Sequence, residues 1–269
     1  MDLPVRRSML DLALVLALAW IGATVFARLA ADAMIFQPPP SSYAGEMPGL
    51  YLVQTSDGVR VATLYLPNPV ARYTLLYSHG NAEDLGHVAP VLALLRGAGF
   101  AVLAYDYRGY GASDRVRPTT QGALEDARAV YRHATQALGI DPSRLILHGR
   151  SVGAAPAIEL AASEPVAGLI VESAFVSAYR VLTRVPLLPM DRFDNLSRIR
   201  SVRCPVLVIH GRRDDIVAFW HGERLLRAAP SARQSWWLDG AGHNDLVAVA
   251  GAEYPRRLRA FADTLGRPD

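Results

Sequence analysis

The 269-residue chain is predicted to be an α/β protein built on a mostly parallel, twisted sheet with helices on both faces. Three observations predict this. Short apolar runs alternate with longer stretches of helical periodicity along most of the chain. Those runs are apolar nearly throughout, as strands buried on both faces require. Ahead of them lie two strand-like runs close together, the pattern of an antiparallel hairpin. The length and an apolar fraction of 51% are enough for one sizeable core, so a single domain with an appendage is expected.

The hairpin covers residues 50–54 and 59–66, with the turn Ser56-Asp57-Gly58 between them. Further strands are expected at 74–77, 101–105, 145–148, 169–171, 206–209 and 236–238, and helices at 85–97, 121–138, 152–162, 219–228 and 246–265. The interval 173–203 breaks the alternation, because it contains Pro186 and Pro189 and has little helical periodicity. It is expected to form a short lid over the sheet edge, leaving the site below open. Its Phe175, Leu187, Leu188 and Met190 either line an acyl groove or pack on the domain.

The N-terminus departs from the globular pattern. Arg6 and Arg7 precede an uninterrupted apolar run at 12–27, whose 16 residues rise about 24 Å as a helix. Continued to Ala31 it reaches about 30 Å, the thickness of a hydrocarbon core. Asp11 and Arg28 sit at its ends, within reach of the interface. Residues 1–35 are therefore an anchor or signal segment, with the anchor favoured. The rival is a cleaved signal peptide, since Ala31-Asp32-Ala33 has the small-x-small form of a cleavage site. A buried amphipathic helix is disfavoured, because the run has no polar stripe. Positive charge ahead of the segment predicts a cytoplasmic N-terminus and a domain on the far side, the periplasm in a bacterium. The segment Gln37-Pro38-Pro39-Pro40-Ser41-Ser42 cannot continue a helix and is expected to be an extended linker at the start of the domain, residues 36–269.

Net charge is only +3 and every basic residue is arginine, spread singly or in pairs, so nucleic-acid binding is not indicated. The single cysteine, Cys204, excludes an internal disulfide and a multi-cysteine metal site. No metal or organic cofactor is required by the chemistry below.

Gly149-Arg150-Ser151-Val152-Gly153 follows an apolar strand and opens a helix. A serine on a strained strand-to-helix turn projects its hydroxyl from the sheet, and small residues on either side let strand and helix approach. A serine hydroxyl needs a base, and Gly242-His243-Asn244-Asp245 supplies one late in the chain. The acid to orient it comes from Arg213-Asp214-Asp215 after the strand at 206–209. Spacing from Gly211 favours Asp214 and assigns Asp215 to the loop or a helix cap. Donors for a developing oxyanion are the backbone N–H groups of Asn81, in Ser78-His79-Gly80-Asn81-Ala82, and of Val152. Among the other histidines, His79 could influence the site. His148 and His210 suit structural or hydrogen-bonding roles, and His87, His133 and His221 suit surface or packing roles.

These motifs, with Tyr105-Asp106-Tyr107-Arg108-Gly109-Tyr110-Gly111-Ala112-Ser113 between the first two, resemble the α/β-hydrolase-domain-containing depalmitoylase group and its bacterial relatives. The resemblance spans nearly the whole domain. It implies the α/β-hydrolase fold, a Ser151, Asp214, His243 triad and a structural role for residues 106–113. It also implies hydrolysis of a small-molecule ester or thioester near a lipid surface. The eukaryotic members carry a lipidated, cysteine-rich N-terminus, which an apolar helix replaces here. A serine peptidase or amidase, or a silent binding module on the same fold, are the alternative readings.

Overall fold

The computed structural model describes residues 3–43, 47–184, 191–230 and 233–266. Its eight strands are β1 (Leu50–Gln54), β2 (Arg60–Leu66), β3 (Thr74–Ser78), β4 (Ala101–Tyr105), β5 (Leu145–Arg150), β6 (Gly168–Glu172), β7 (Val206–Gly211) and β8 (Arg233–Leu238). They form one sheet in the order β1-β2-β4-β3-β5-β6-β7-β8. The pairs β1–β2 and β2–β4 are antiparallel and the rest are parallel. Each run expected to be a strand is one.

The helices are α1 (Leu3–Ile35), α2 (Leu85–Gly97), α3 (Thr120–Arg132), α4 (Ala154–Ser163), α5 (Ala178–Thr183), α6 (Asn195–Arg198), α7 (Trp220–Ala228), α8 (Leu246–Ala250) and α9 (Glu253–Thr264). Side chains alternate across a strand, so adjacent apolar residues serve opposite layers. Leu76, Leu147, Val171 and Val208 pack with Val130 of α3 and Ile158 of α4 on one face. Their neighbours Leu75, Ile146, Ile170 and Leu207 pack with Leu92 of α2 and Phe261 of α9 on the other. This is why the central runs lack polar alternation.

Four expectations need correction. The helix expected at 246–265 is broken in two by Gly251, whose φ of +52° lies in the left-handed region. The helix expected at 121–138 passes into a π-helical turn at His133–Ala137. The interval 173–203 contains α5 and α6, and its two ends reach the core: Phe175, Val176, Ile199 and Val202 are buried, and α6 packs on α4. Phe175 packs in the core, while Leu187, Leu188 and Met190 lie outside the described residues, as do Pro186 and Pro189. The fourth concerns the linker. Asn81 Oδ1 accepts the Gln37 N–H at 2.9 Å, Asp84 Oδ2 accepts the Ser42 N–H at 2.7 Å, and Tyr43 OH bonds Asp106. The segment is thus a strap pinned to the domain.

The end of α1 is docked as well. Ala31 and Phe36 are buried, and the Phe36 ring meets Tyr107 and Phe193 edge-on at 6.3 and 6.1 Å. Asp32 Oδ1 accepts the Thr120 N–H at 3.1 Å at the start of α3. Upstream, Leu10, Leu14, Leu18 and Val25 are exposed, which removes the buried-helix reading. Among the described residues one helix, Met9–Ile35, is long and apolar enough to cross a membrane, a property that fits an anchor or a signal sequence.

Candidate active site

Ser151 stands at the C-terminal edge of the sheet, where β5 ends, with φ of +52°. This conformation is costly for a residue with a side chain and is held by dense packing around it. A Cβ on Gly149 would lie 2.3 Å from the Gly153 carbonyl oxygen, and a Cβ on Gly153 would lie 2.1 Å from that of Ser78. Glycine at both positions therefore lets the turn fold under the serine and lets the β3 loop close onto it. Helix α4 begins one turn later, after a 3-10 turn at Ser151–Gly153.

The structure brings Ser151, His243 and Asp214 together in one chain of contacts. His243 Nε2 is 3.0 Å from Ser151 Oγ, and His243 Nδ1 is 2.8 Å from Asp214 Oδ2. Asp214 is buried in the loop after β7, while Asp215 is exposed. Asp214 Oδ1 accepts the Ile216 and Val217 N–H groups at 3.0 and 2.7 Å. Burial by itself would raise this carboxyl, but contacts from His210 and His243 and the Val217 N–H hold it well below the usual carboxylate range. It is therefore ionised at any working pH. With Nδ1–H donated to Asp214, the His243 Nε2 lone pair faces the serine hydroxyl.

The loop carrying Asn81 is built from below by residues 106–113. Tyr107 OH donates to the His79 carbonyl at 2.7 Å, and Tyr110 OH donates to Asn81 Oδ1 at 2.7 Å. Asp106, fully buried, accepts the Leu85 N–H at 2.9 Å and faces His79 Nε2 at 3.3 Å. Burial alone would lower the His79 pKa, and Asp106 reverses this and raises it. His79 thus serves the loop's structure, at one remove from Ser151. His210 donates to the Val217 carbonyl at 2.8 Å and stands 3.3 Å from Asp214. His221 is buried, accepts the Val176 N–H at 3.2 Å, and is lowered to about 4 by burial.

Sequence reasoning missed Arg150. Its Nη1 donates to Glu83 Oε1 at 2.7 Å, and Glu83 in turn accepts the Gly80 N–H at 2.5 Å. Its Nη2 donates to the His243 carbonyl at 3.2 Å and to Asn244 Oδ1 at 3.0 Å. Its Nε is 3.5 Å from buried Glu172, which also accepts from Tyr254 OH at 2.7 Å. One guanidinium therefore joins the Asn81 loop, the Ser151 turn and the His243 loop. Among the described residues, no group of three or more His, Cys, Asp or Glu side chains is placed to hold a metal.

A sheet of this order with a serine, histidine and aspartate in contact at its C-terminal edge defines an α/β hydrolase. Comparison with known proteins agrees. A family model described as "Serine aminopeptidase, S33" matches residues 69–195. The chain is 36% identical over 215 residues to the human α/β hydrolase domain-containing protein 17B, covering 78% of this chain and 74% of that protein. It is also 36% identical over 219 residues to the Caenorhabditis elegans α/β hydrolase domain-containing protein aho-3, covering 79% of this chain and 64% of that one. Among solved structures, the Pyrococcus furiosus esterase Pf2001 superposes with a TM-score of 0.73 at 20% identity, over 85% of this chain and 99% of that one. The Rhodococcus esterase RhEst1 superposes with a TM-score of 0.66 at 19% identity, over 81% of this chain and all of that one. The chain belongs to the α/β-hydrolase domain-containing protein family.

Proposed function

We propose that this protein is a serine hydrolase that cleaves carboxylic esters or thioesters through an acyl-enzyme. Ser151 is the nucleophile, His243 the general base and Asp214 the residue that orients it. The observation that carries this reading is the pair of contacts on His243, 3.0 Å to Ser151 Oγ and 2.8 Å to Asp214 Oδ2.

In the first half-reaction Ser151 Oγ attacks the acyl carbon while its proton passes to His243 Nε2, and the negative charge moves to the former carbonyl oxygen. The backbone N–H groups of Asn81 and Val152 stabilise that oxyanion, and losing one such donor costs on the order of 10² to 10³ in rate. His243 then protonates the departing alcohol or thiol as its bond to the acyl carbon breaks. In the second half-reaction His243 takes a proton from water, the hydroxide attacks the acyl-enzyme, and collapse releases the acid and returns a proton to Ser151 Oγ. Asp214, ionised throughout, stabilises the imidazolium each time it forms. Neither half-reaction requires a metal or organic cofactor.

We read residues 1–35 as a membrane anchor and 36–269 as the catalytic domain, which lies on the side opposite the Arg6–Arg7 end. The docking of Ala31, Asp32 and Phe36 supports an uncleaved anchor, because cleavage after Ala33 would remove the Asp32 contact with α3. A mature product lacking the first 33 residues would refute this and favour secretion.

Cleavage of amides by the same triad is the second reading, favoured by the description of the matching family model. Matched p-nitrophenyl ester and p-nitroanilide substrates separate the two, with turnover of the ester alone expected. Faster turnover of the anilide would replace the esterase reading with the peptidase one.

A further inference from the structure

Between Asp11 and Arg28 the helix α1 carries no charge, so a bilayer that holds it has its outward surface near Arg28. The domain meets α1 at that height. Tyr179 OH donates to the Ala27 carbonyl at 3.2 Å, and Arg192 Nη2 donates to the Arg28 carbonyl at 3.3 Å. Tyr179 belongs to α5, whose Leu182 is 75% exposed and which is followed by exposed Arg184. On α1 itself Phe26 and Leu29 are exposed at the same level, 67% and 75%. Tyrosine, leucine and arginine grouped at one height beside a span have the composition of an interfacial segment. The apolar parts enter the acyl boundary and the cations meet lipid phosphates.

We infer that α5 is a second membrane contact, in which Leu182 enters the outer edge of the acyl region and Arg184 pairs with lipid phosphate. The inference rests on the reading of α1 as an anchor. The contacts at Ala27, Arg28 and Asp32 fix the domain against α1, and a second contact with lipid also restrains the tilt of the two together in the bilayer. Segment 173–177, which leads from β6 to α5, leaves the same sheet edge that carries Ser151, and the strap after α1 bonds Asn81 at that edge. The contact therefore holds the catalytic edge toward the lipid surface, where the ester or thioester would be presented.

Environment-sensitive labelling of the full-length protein in phosphatidylcholine and phosphatidylglycerol vesicles tests this. Cys204 is buried and is replaced by alanine, so that single cysteines can carry an NBD dye. Three positions are compared: Leu182→Cys on α5, Leu16→Cys within α1, and Val70→Cys in the β2–β3 connection at the opposite sheet edge. Val70 is 88% exposed. Dye at 182 is expected to emit at shorter wavelength than dye at 70, and to be quenched by doxyl-labelled phospholipid as dye at 16 is. Quenching at 16 but not at 182 would overturn the second contact and leave the anchor intact. No quenching at either would remove the anchor and the contact with it.

Discussion

The Arg150 guanidinium donates to the backbone carbonyl of His243 at 3.2 Å, so the residue just before Ser151 holds the backbone of His243. Through Glu83 the same side chain fixes the Gly80 N–H, next to the proposed oxyanion donor Asn81. Lysine cannot reproduce this fork, because it has one point of charge where arginine has a planar set of donors. We expect Arg150→Lys to lower kcat about 10²-fold with KM little changed, since displacements on the order of 1 Å in such a site cost that much. Steady-state kinetics on a short-chain ester check it.

Gly153 has no room for a methyl group. A Cβ there would stand 2.1 Å from the Ser78 carbonyl oxygen and 2.5 Å from that of His79, both backbone atoms that cannot move without shifting β3. Gly153→Ala is expected to cost about 3 kcal/mol of stability, at the upper end for an overpacked core. Thermal unfolding measures it, and a variant of unchanged stability would contradict the packing described.

Asp214→Asn keeps the shape of the acid but removes its charge, and an amide nitrogen placed toward His243 selects the wrong tautomer. A loss in kcat of about 10³ to 10⁴ is expected. Asp215→Asn, in the exposed position beside it, should leave kcat within about twofold, as surface changes usually do. Comparing the two variants checks the assignment.

His221 gives the fold a pH dependence of known sign. Its folded pKa is lowered to about 4, below the usual value for histidine, so the unfolded chain binds the proton more readily. Its contribution to stability is complete above the unfolded pKa of roughly 6.5 and is lost progressively as pH falls toward 4. His221→Gln, which retains an acceptor for the Val176 N–H, should flatten the decline of Tm over that window. An unchanged slope would mean that other groups set it.

The strands were legible because burial on both faces makes each a short, near-continuous apolar run, and the turn at Ser151 because glycines at 149 and 153 are forced by contacts closer than a Cβ permits. Ser151, Asp214 and His243 carry local signals of the same kind, and the structure brings them within hydrogen-bonding distance. What the sequence hid depends on distant partners. Arg150 looks like any exposed arginine until Glu83, Glu172 and His243 are folded around it. The strap at 37–43 looks like a free linker because its anchors, Asn81, Asp84 and Asp106, lie far along the chain. Gly251 broke a helix whose apolar spacing continued across it, since periodicity does not register a single left-handed residue.

The most direct test of the central claim is p-nitrophenyl ester hydrolysis by the full-length protein beside Ser151→Ala, together with labelling of both by a fluorophosphonate probe. The wild type is expected to turn over ester and to take up the probe, and Ser151→Ala to do neither while unfolding at the same temperature. Turnover that persisted in Ser151→Ala, or a wild type inert to both ester and probe, would contradict the serine mechanism, and the second result would leave a silent binding module on a hydrolase fold.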